Sequence, residues 1–175
     1  MSVFKVWEGG MSFHGGFIGV VVAILIFTHK EKLPFWSLAD EIARIIPVGL
    51  FFGRIGNYIN KELLGFSYEG FLAVQTKTGS YFPSPLVEAI LEGLLIFIIL
   101  NIILKKPGFS GQFAALFLIL YGLSRTIVEL WIRVPDQHIG YYFGFLSQGA
   151  LLSIPMIIIG ASLYYYLSNT NNHAK

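Results

Sequence analysis

Apolar residues run along this chain in five long blocks with polar breaks between them. The blocks cover about residues 11–27, 38–58, 86–104, 113–132 and 149–167. Each approaches the roughly 20 apolar residues that an α-helix needs to cross a bilayer core. None alternates residue by residue as a barrel strand does, and each is too long for one. The pattern predicts an all-α integral membrane protein, a single polytopic domain over residues 1–175 built as a bundle of about five transmembrane helices. The connections are short except for 59–85 and 133–148. The first of these holds Gly65, Gly70, Gly79, Pro83 and Pro85, and reads as an irregular outer-side loop region with a short hairpin.

Composition agrees with the pattern. The 175 residues are 55% hydrophobic and only 13% charged, about half the charge of an ordinary soluble domain. A disordered tail and a water-soluble fold are excluded. Twelve Lys/Arg against ten Asp/Glu leave no basic patch that could track nucleic acid. With no cysteine there is no disulfide, no thiolate nucleophile of the chain's own and no Cys-ligated metal. The four histidines show no metal-ligand spacing.

Orientation follows from the basic residues. One side of a five-span chain holds Lys30, Lys32, Lys105, Lys106 and Lys175; the other holds Lys5, Lys61, Lys77 and Arg133. The positive-inside rule makes the first side cytoplasmic and puts both long loops outside. The first apolar block is expected to serve as the insertion signal, because residues 1–11 lack a basic n-region and an apolar h-region.

Charges inside spans are costly, at about 2.5–3.5 kcal/mol each at a helix centre. The chain nevertheless carries Arg54 in the second span, Glu88 and Glu92 in the third, and Arg125 and Glu129 in the fourth. Such residues mark either a functional site facing a polar cavity or pairs that position helices. Arg125 and Glu129 stand i,i+4 and share a face. Arg54 and Asn57 stand i,i+3, among Gly49, Gly53 and Gly56, which allow another helix or a ligand to approach closely. Glu88 and Glu92, like charges one turn apart, call for a cationic partner or a raised pKa. His14 precedes Gly15 and Gly16 at the start of the first span, either as a hydrogen-bonded belt residue or as an accessible imidazole. Two arginines with carboxylates on separate spans predict an anion-binding cavity, and a guanidinium takes a phosphate bidentately. In a membrane, the resident phosphate is a lipid headgroup.

The string Gly53-Arg54-Ile55-Gly56-Asn57-Tyr58-Ile59-Asn60-Lys61-Glu62-Leu63-Leu64-Gly65 resembles the signature of the prolipoprotein diacylglyceryl transferases, bacterial membrane enzymes that lipidate lipoprotein precursors. Further motifs agree in order: Gly10-Met11-Ser12-Phe13-His14-Gly15-Gly16, Pro83-Ser84 with Glu88, and Leu91-Glu92-Gly93. Tyr121-Gly122 with Arg125 and Glu129, Pro135-Asp136 and Ser153-Ile154-Pro155-Met156 complete the series. The resemblance implies transfer of the diacylglyceryl group of phosphatidylglycerol to the lipobox cysteine of a prolipoprotein. It implies a cytoplasmic (inner) membrane location with the site toward the outer leaflet. Its partners are phosphatidylglycerol, the prolipoprotein signal peptide and the surrounding membrane lipids, with no metal, cofactor or nucleic acid. By the same resemblance His14, Arg54, Arg125 and Glu62 are catalytic, with His14 and Glu62 both open as the base. Asn57, Gly65, Glu129 and Glu88 bind or position substrate.

The chain departs from the family pattern in places. Two helices and an outer segment are expected before Trp7-Glu8-Gly9-Gly10. Lys61 stands where a Gly is usual, which strains the backbone if that position takes positive φ. Pro85 and Val87 replace Gln and Tyr; Gln148 and Ala150 replace Met and Gln. The spacing from Glu129 to Pro135 is one residue longer than the family pattern has it. The alternative to the enzyme is a non-catalytic homologue that binds phospholipid or a membrane partner. A transporter is a weaker alternative, since an odd span count without repeats lacks the paired halves of that class.

Overall fold

The computed structural model describes residues 13–133 and 148–173. Five long helices carry the fold: α1 (Phe13–Glu31), α2 (Phe35–Ile59), α3 (Ser84–Ile103), α4 (Gln112–Trp131) and α5 (Gln148–His173). Each apolar block of the sequence is matched by one of these helices. By length and apolarity, α3, α4 and the Gly149–Thr170 stretch of α5 suffice to cross a membrane. In α2 the apolar run is broken by Asp40, Glu41, Arg44 and Arg54, and those charges have partners within the bundle.

Helices α4 and α5 pack along their length. Gly122 brings α4 against the backbone of Ser153, and Gly160 brings α5 against the Ala115 carbonyl; an added Cβ would stand 3.0 Å and 2.9 Å from those oxygens. A core of Ala43, Ile96, Leu100, Phe113, Phe117, Leu118, Tyr121 and Met156 joins α2, α3, α4 and α5. Large apolar side chains also face outward along the helices, such as Ile18, Ile45, Ile103 and Ile158. In a bilayer these contact lipid.

Close helix approach occurs at a glycine other than those expected. Nothing lies within 4 Å of a Cβ built on Gly49, Gly53 or Gly56. Their small size is therefore not used by another helix among the described residues. Gly93 of α3 is the tight position instead, where a Cβ would stand 2.6 Å from Phe51 Cβ and 2.8 Å from its Cα. This contact seats α3 on α2 and sets Glu88 and Glu92 opposite Arg54.

Helix α3 is not uniformly α. It runs in π register over Ala89–Leu95 and again over Ile99–Ile103. Such wide turns are rare and often mark functional positions. Each of these segments contains one polar residue that reaches an arginine of α2: Glu92 meets Arg54, and Asn101 meets Arg44.

The loop between α2 and α3 contains an antiparallel hairpin, β1 (Val74–Thr76) and β2 (Gly79–Tyr81), with Val74 opposite Tyr81. Ser67 bridges to Tyr81 on the other side of β2, so 65–68 adds a short third segment. Three loop residues have left-handed backbone: Lys61 at φ 58°, Leu63 at 54° and Leu72 at 63°. The strain expected at Lys61 is thus present. An isolated contact helps to hold it, since Lys61 Nζ donates to the Gln75 carbonyl at 2.9 Å.

Candidate functional site

Six charged side chains from three helices and the segment beyond α4 converge near the loop end of the bundle. Arg54 donates from Nη1 to Glu88 at 2.9 Å. It also donates from Nε and Nη2 to Glu92 Oε2 at 3.1 and 2.9 Å. Arg125 Nη1 reaches Glu88 Oε2 at 2.9 Å and Glu92 Oε1 at 3.3 Å. Its Nη2 bonds Glu129 within α4. Arg133 Nη1 stands 3.5 Å from the same Glu129 oxygen. Each carboxylate of α3 therefore bridges the guanidiniums of α2 and α4.

The cation expected to offset the two like charges is in fact two cations. Glu88 and Glu92 are fully buried, and ions so placed are tolerable only when paired and hydrogen-bonded. Three guanidiniums face three carboxylates, a balanced charge count. One buried oxygen stays without a hydrogen-bond partner among the described residues, Glu88 Oε1. Arg125 holds the carboxylates through Nη1 and Nη2. A site of this kind holds fixed positive edges in a low dielectric, where an anion is bound more strongly than in water.

The signature loop is tied to the start of α3 and to the segment beyond α4. Ser84 Oγ donates to the Leu63 carbonyl at 2.7 Å, tying the start of α3 to that loop. Gly65 donates its N–H to Phe82 O at 2.9 Å and pairs with Arg133. A Cβ on Gly65 would stand 2.6 Å from the Ile132 carbonyl, so only glycine lets these strands of backbone meet. Glu129 is equally confined on its far side, because a Cβ on Gly149 of α5 would collide with Glu129 Oε1.

The sequence-derived residues thus divide. Arg54, Glu88, Arg125 and Glu129 are brought into direct contact, and Gly65 is held beside them through Arg133. Asn57 accepts the Glu62 N–H at 2.9 Å through its carbonyl, but no hydrogen bond joins its carboxamide to the cluster among the described residues. Glu62 is exposed in the loop. His14 falls in the first turn of α1; its side chain, like Pro135 and Asp136, lies outside the described residues.

Glu92, which like Glu88 calls for a cationic partner, meets two arginines through three hydrogen bonds. One contributor escapes the sequence reading. Arg133 enters it only as a topological charge, although it stands one turn beyond Glu129. Burial and the neighbouring Arg125 charge pull its guanidinium below the ordinary arginine value, without bringing it near neutrality. Its i,i+4 spacing from Glu129 was the available signal.

A second polar group sits toward the other end of α2 and does different work. Asp40 is buried and accepts the N–H of Gly111 at 2.7 Å and of Ala114 at 2.9 Å. It caps the N-terminus of α4 from a neighbouring helix, satisfying donors that the helix itself cannot. Arg44 donates Nε to Asn101 at 3.0 Å and lies over the Phe113 ring. Nearby, an apolar cavity of 240 Å³ is lined by Ile24, Trp36, Ala43, Phe117 and Leu163. It contains none of the site's charged groups.

A family model described as prolipoprotein diacylglyceryl transferase matches residues 1–166. The chain is similar to proteins named phosphatidylglycerol–prolipoprotein diacylglyceryl transferase. Identity is 51% with that of Mannheimia succiniciproducens and 52% with that of Pasteurella multocida, over 91% of this chain and 60% of each relative. It is 44% with that of Hydrogenovibrio crunogenus, over 98% of this chain and 66% of the relative. The chain thus spans 60–66% of the length of these relatives. On this evidence, the chain belongs to the prolipoprotein diacylglyceryl transferase family.

Proposed function

We propose that this protein transfers the diacylglyceryl group of phosphatidylglycerol to the lipobox cysteine thiol of prolipoproteins, in the bacterial cytoplasmic membrane with its site toward the outer leaflet. The observation that carries the reading is the buried Arg54–Glu88–Arg125 bridge, with Glu92 and Glu129 completing it. A phosphodiester needs fixed guanidiniums, and this cluster fixes two from different helices. The names of the relatives supply the donor and acceptor.

In the proposed reaction the substrate's sulfur attacks the glyceryl carbon bonded to the phosphate oxygen. The C–S bond forms as the C–O bond breaks, and the bonding pair leaves on glycerol phosphate. The thiol proton passes to a base, for which His14 and Glu62 are the candidates; imidazole has the better-matched pKa. A thiol of pKa about 8.5 gains most of its nucleophilicity by losing that proton. Arg54 and Arg125 hold the phosphate and stabilise charge as it grows on the departing oxygens. Glu88 and Glu92 fix both guanidiniums from α3, and Glu129 fixes Arg125 from its own helix. Asn57 and Glu62 orient the headgroup or the thiol, and Gly65 lets the signature loop close over them.

Membranes containing the protein, given labelled phosphatidylglycerol and a lipobox peptide, test the reading. The expected result is label on the peptide through a bond that resists thiol reductants and hydroxylamine, as a thioether does. Free label only, beside an active full-length relative, rejects it.

A further inference from the structure

We propose that Phe71 and Leu72 form a lipid anchor, by which the outer loop inserts two apolar side chains at the headgroup–acyl boundary beside the site. Phe71 is 84% exposed and Leu72 is 52% exposed, next to each other in a loop whose other large apolar residue at the hairpin base, Val74, is buried. Leu72 has φ 63° at the third position of a turn that the Ala73 N–H closes on the Gly70 carbonyl at 3.1 Å, so Phe71 and Leu72 are the two central residues of that turn.

Strand register gives the height of this pair above the helices. Gly65 pairs with Arg133, two residues after α4 ends at Trp131, and donates to Phe82. Tyr81 pairs with both Ser67 and Val74, and α3 begins three residues after Tyr81 at Ser84. Residues 65, 74, 81–82 and 133 therefore mark the level of the helix ends. The chain climbs away from this level to Tyr68, whose N–H meets the Ser80 carbonyl at 3.0 Å. It must then descend through 69–73 to reach Val74. Phe71 and Leu72 lie on the descending leg, within about 10 Å of the helix ends at strand rise.

Two neighbours fit a lipid partner. Trp131, at the end of α4, is 79% exposed, an aromatic at the depth where interfacial tryptophans sit. Lys61 is held by the carbonyl of Gln75, one residue past Val74, and the exposed Glu69 stands two residues before Phe71, so charges of both signs flank the apolar pair. Apolar side chains edged by charged and polar groups suit the headgroup–acyl boundary.

The absence of cysteine makes a direct depth measurement simple. Single Phe71→Cys, Leu72→Cys, Thr78→Cys and Ile158→Cys chains would each carry a nitroxide. They would be reconstituted in phosphatidylcholine–phosphatidylglycerol vesicles, and the oxygen-to-nickel-chelate accessibility ratio measured. Thr78 lies in the exposed hairpin turn, and Ile158 on the outward face of α5. The anchor gives ratios at 71 and 72 several-fold above that at 78 and approaching that at 158. Ratios at 71 and 72 equal to that at 78 overturn it. The measurement needs no turnover, so it stands or falls apart from the transferase reading.

Discussion

Arg54 of α2 grips one oxygen of Glu92 on α3 with two donors, Nε at 3.1 Å and Nη2 at 2.9 Å, while its third nitrogen holds Glu88. This fork belongs to arginine alone, because a lysine ammonium is a single point on a flexible stem. Removing Glu92 leaves two guanidiniums short of a carboxylate in a dry site. Glu92→Ala is expected to destabilise the protein by about 3–5 kcal/mol, as for one partner of a buried pair. Chemical denaturation in micelles measures it, and a double-mutant cycle with Arg54→Ala should return a coupling of about 1–3 kcal/mol. Simple additivity would show that the contact does not bear on stability.

Glycine substitutions should separate contact from mere composition. Gly65→Ala drives a methyl group to 2.6 Å from the Ile132 carbonyl, and backbone cannot yield as a side-chain tip can. A loss of about 1–3 kcal/mol is expected, together with reduced transfer. Gly53→Ala, two signature glycines earlier, meets nothing within 4 Å. There the helix gains about 0.5–1 kcal/mol from the better helix former. Melting curves of the two variants should move in opposite directions; equal losses would contradict the assignment of roles.

Lys61 offers a test of stored strain. Its φ of 58° suits glycine, the residue that the resemblance leads one to expect at this place. Lys61→Gly removes an unfavourable left-handed conformation costing about 1–2 kcal/mol, and loses one exposed hydrogen bond worth about 0.5–1.5 kcal/mol. A small net gain in melting temperature is expected. A marked loss would mean that the Gln75 contact outweighs the strain.

Asp40 should prove structural. It lies fourteen residues before Arg54 in α2, about 21 Å along the helix axis. Asp40→Ala strips the cap from α4 and should cost about 1–2 kcal/mol, with KM for phosphatidylglycerol unchanged. A change in KM well beyond the change in stability would place Asp40 in the chemistry instead.

Much of this architecture is legible in the chain, for a physical reason. Hydropathy over twenty residues is a long signal, so all five helices fall near their expected places. The cost of burying charge likewise singles out Arg54, Glu88, Glu92, Arg125 and Glu129 without any structure. Partner choice is another matter. Local spacing finds the Arg125–Glu129 pair, but whether Arg54 meets Glu88 or Asn101 depends on helix rotation. That rotation is fixed by the Gly93–Phe51 contact, forty-two positions apart in the chain. The glycines around Arg54 have no helix against them among the described residues, since a small residue permits an approach without causing one. Asp40 and Arg44 lie in the second apolar block and went unweighed because their partners, Gly111 and Asn101, are distant in sequence.

Transfer and mere lipid binding separate when His14→Ala and Arg54→Ala are compared for phosphatidylglycerol affinity and for transfer to a lipobox peptide. A transferase predicts that both variants lose transfer, His14→Ala by about 10²–10⁴-fold as for a missing general base. It also predicts that affinity falls with Arg54→Ala and is kept with His14→Ala. Transfer undetectable in the unsubstituted protein, with affinity lost only in Arg54→Ala, would contradict it and leave a lipid-binding homologue.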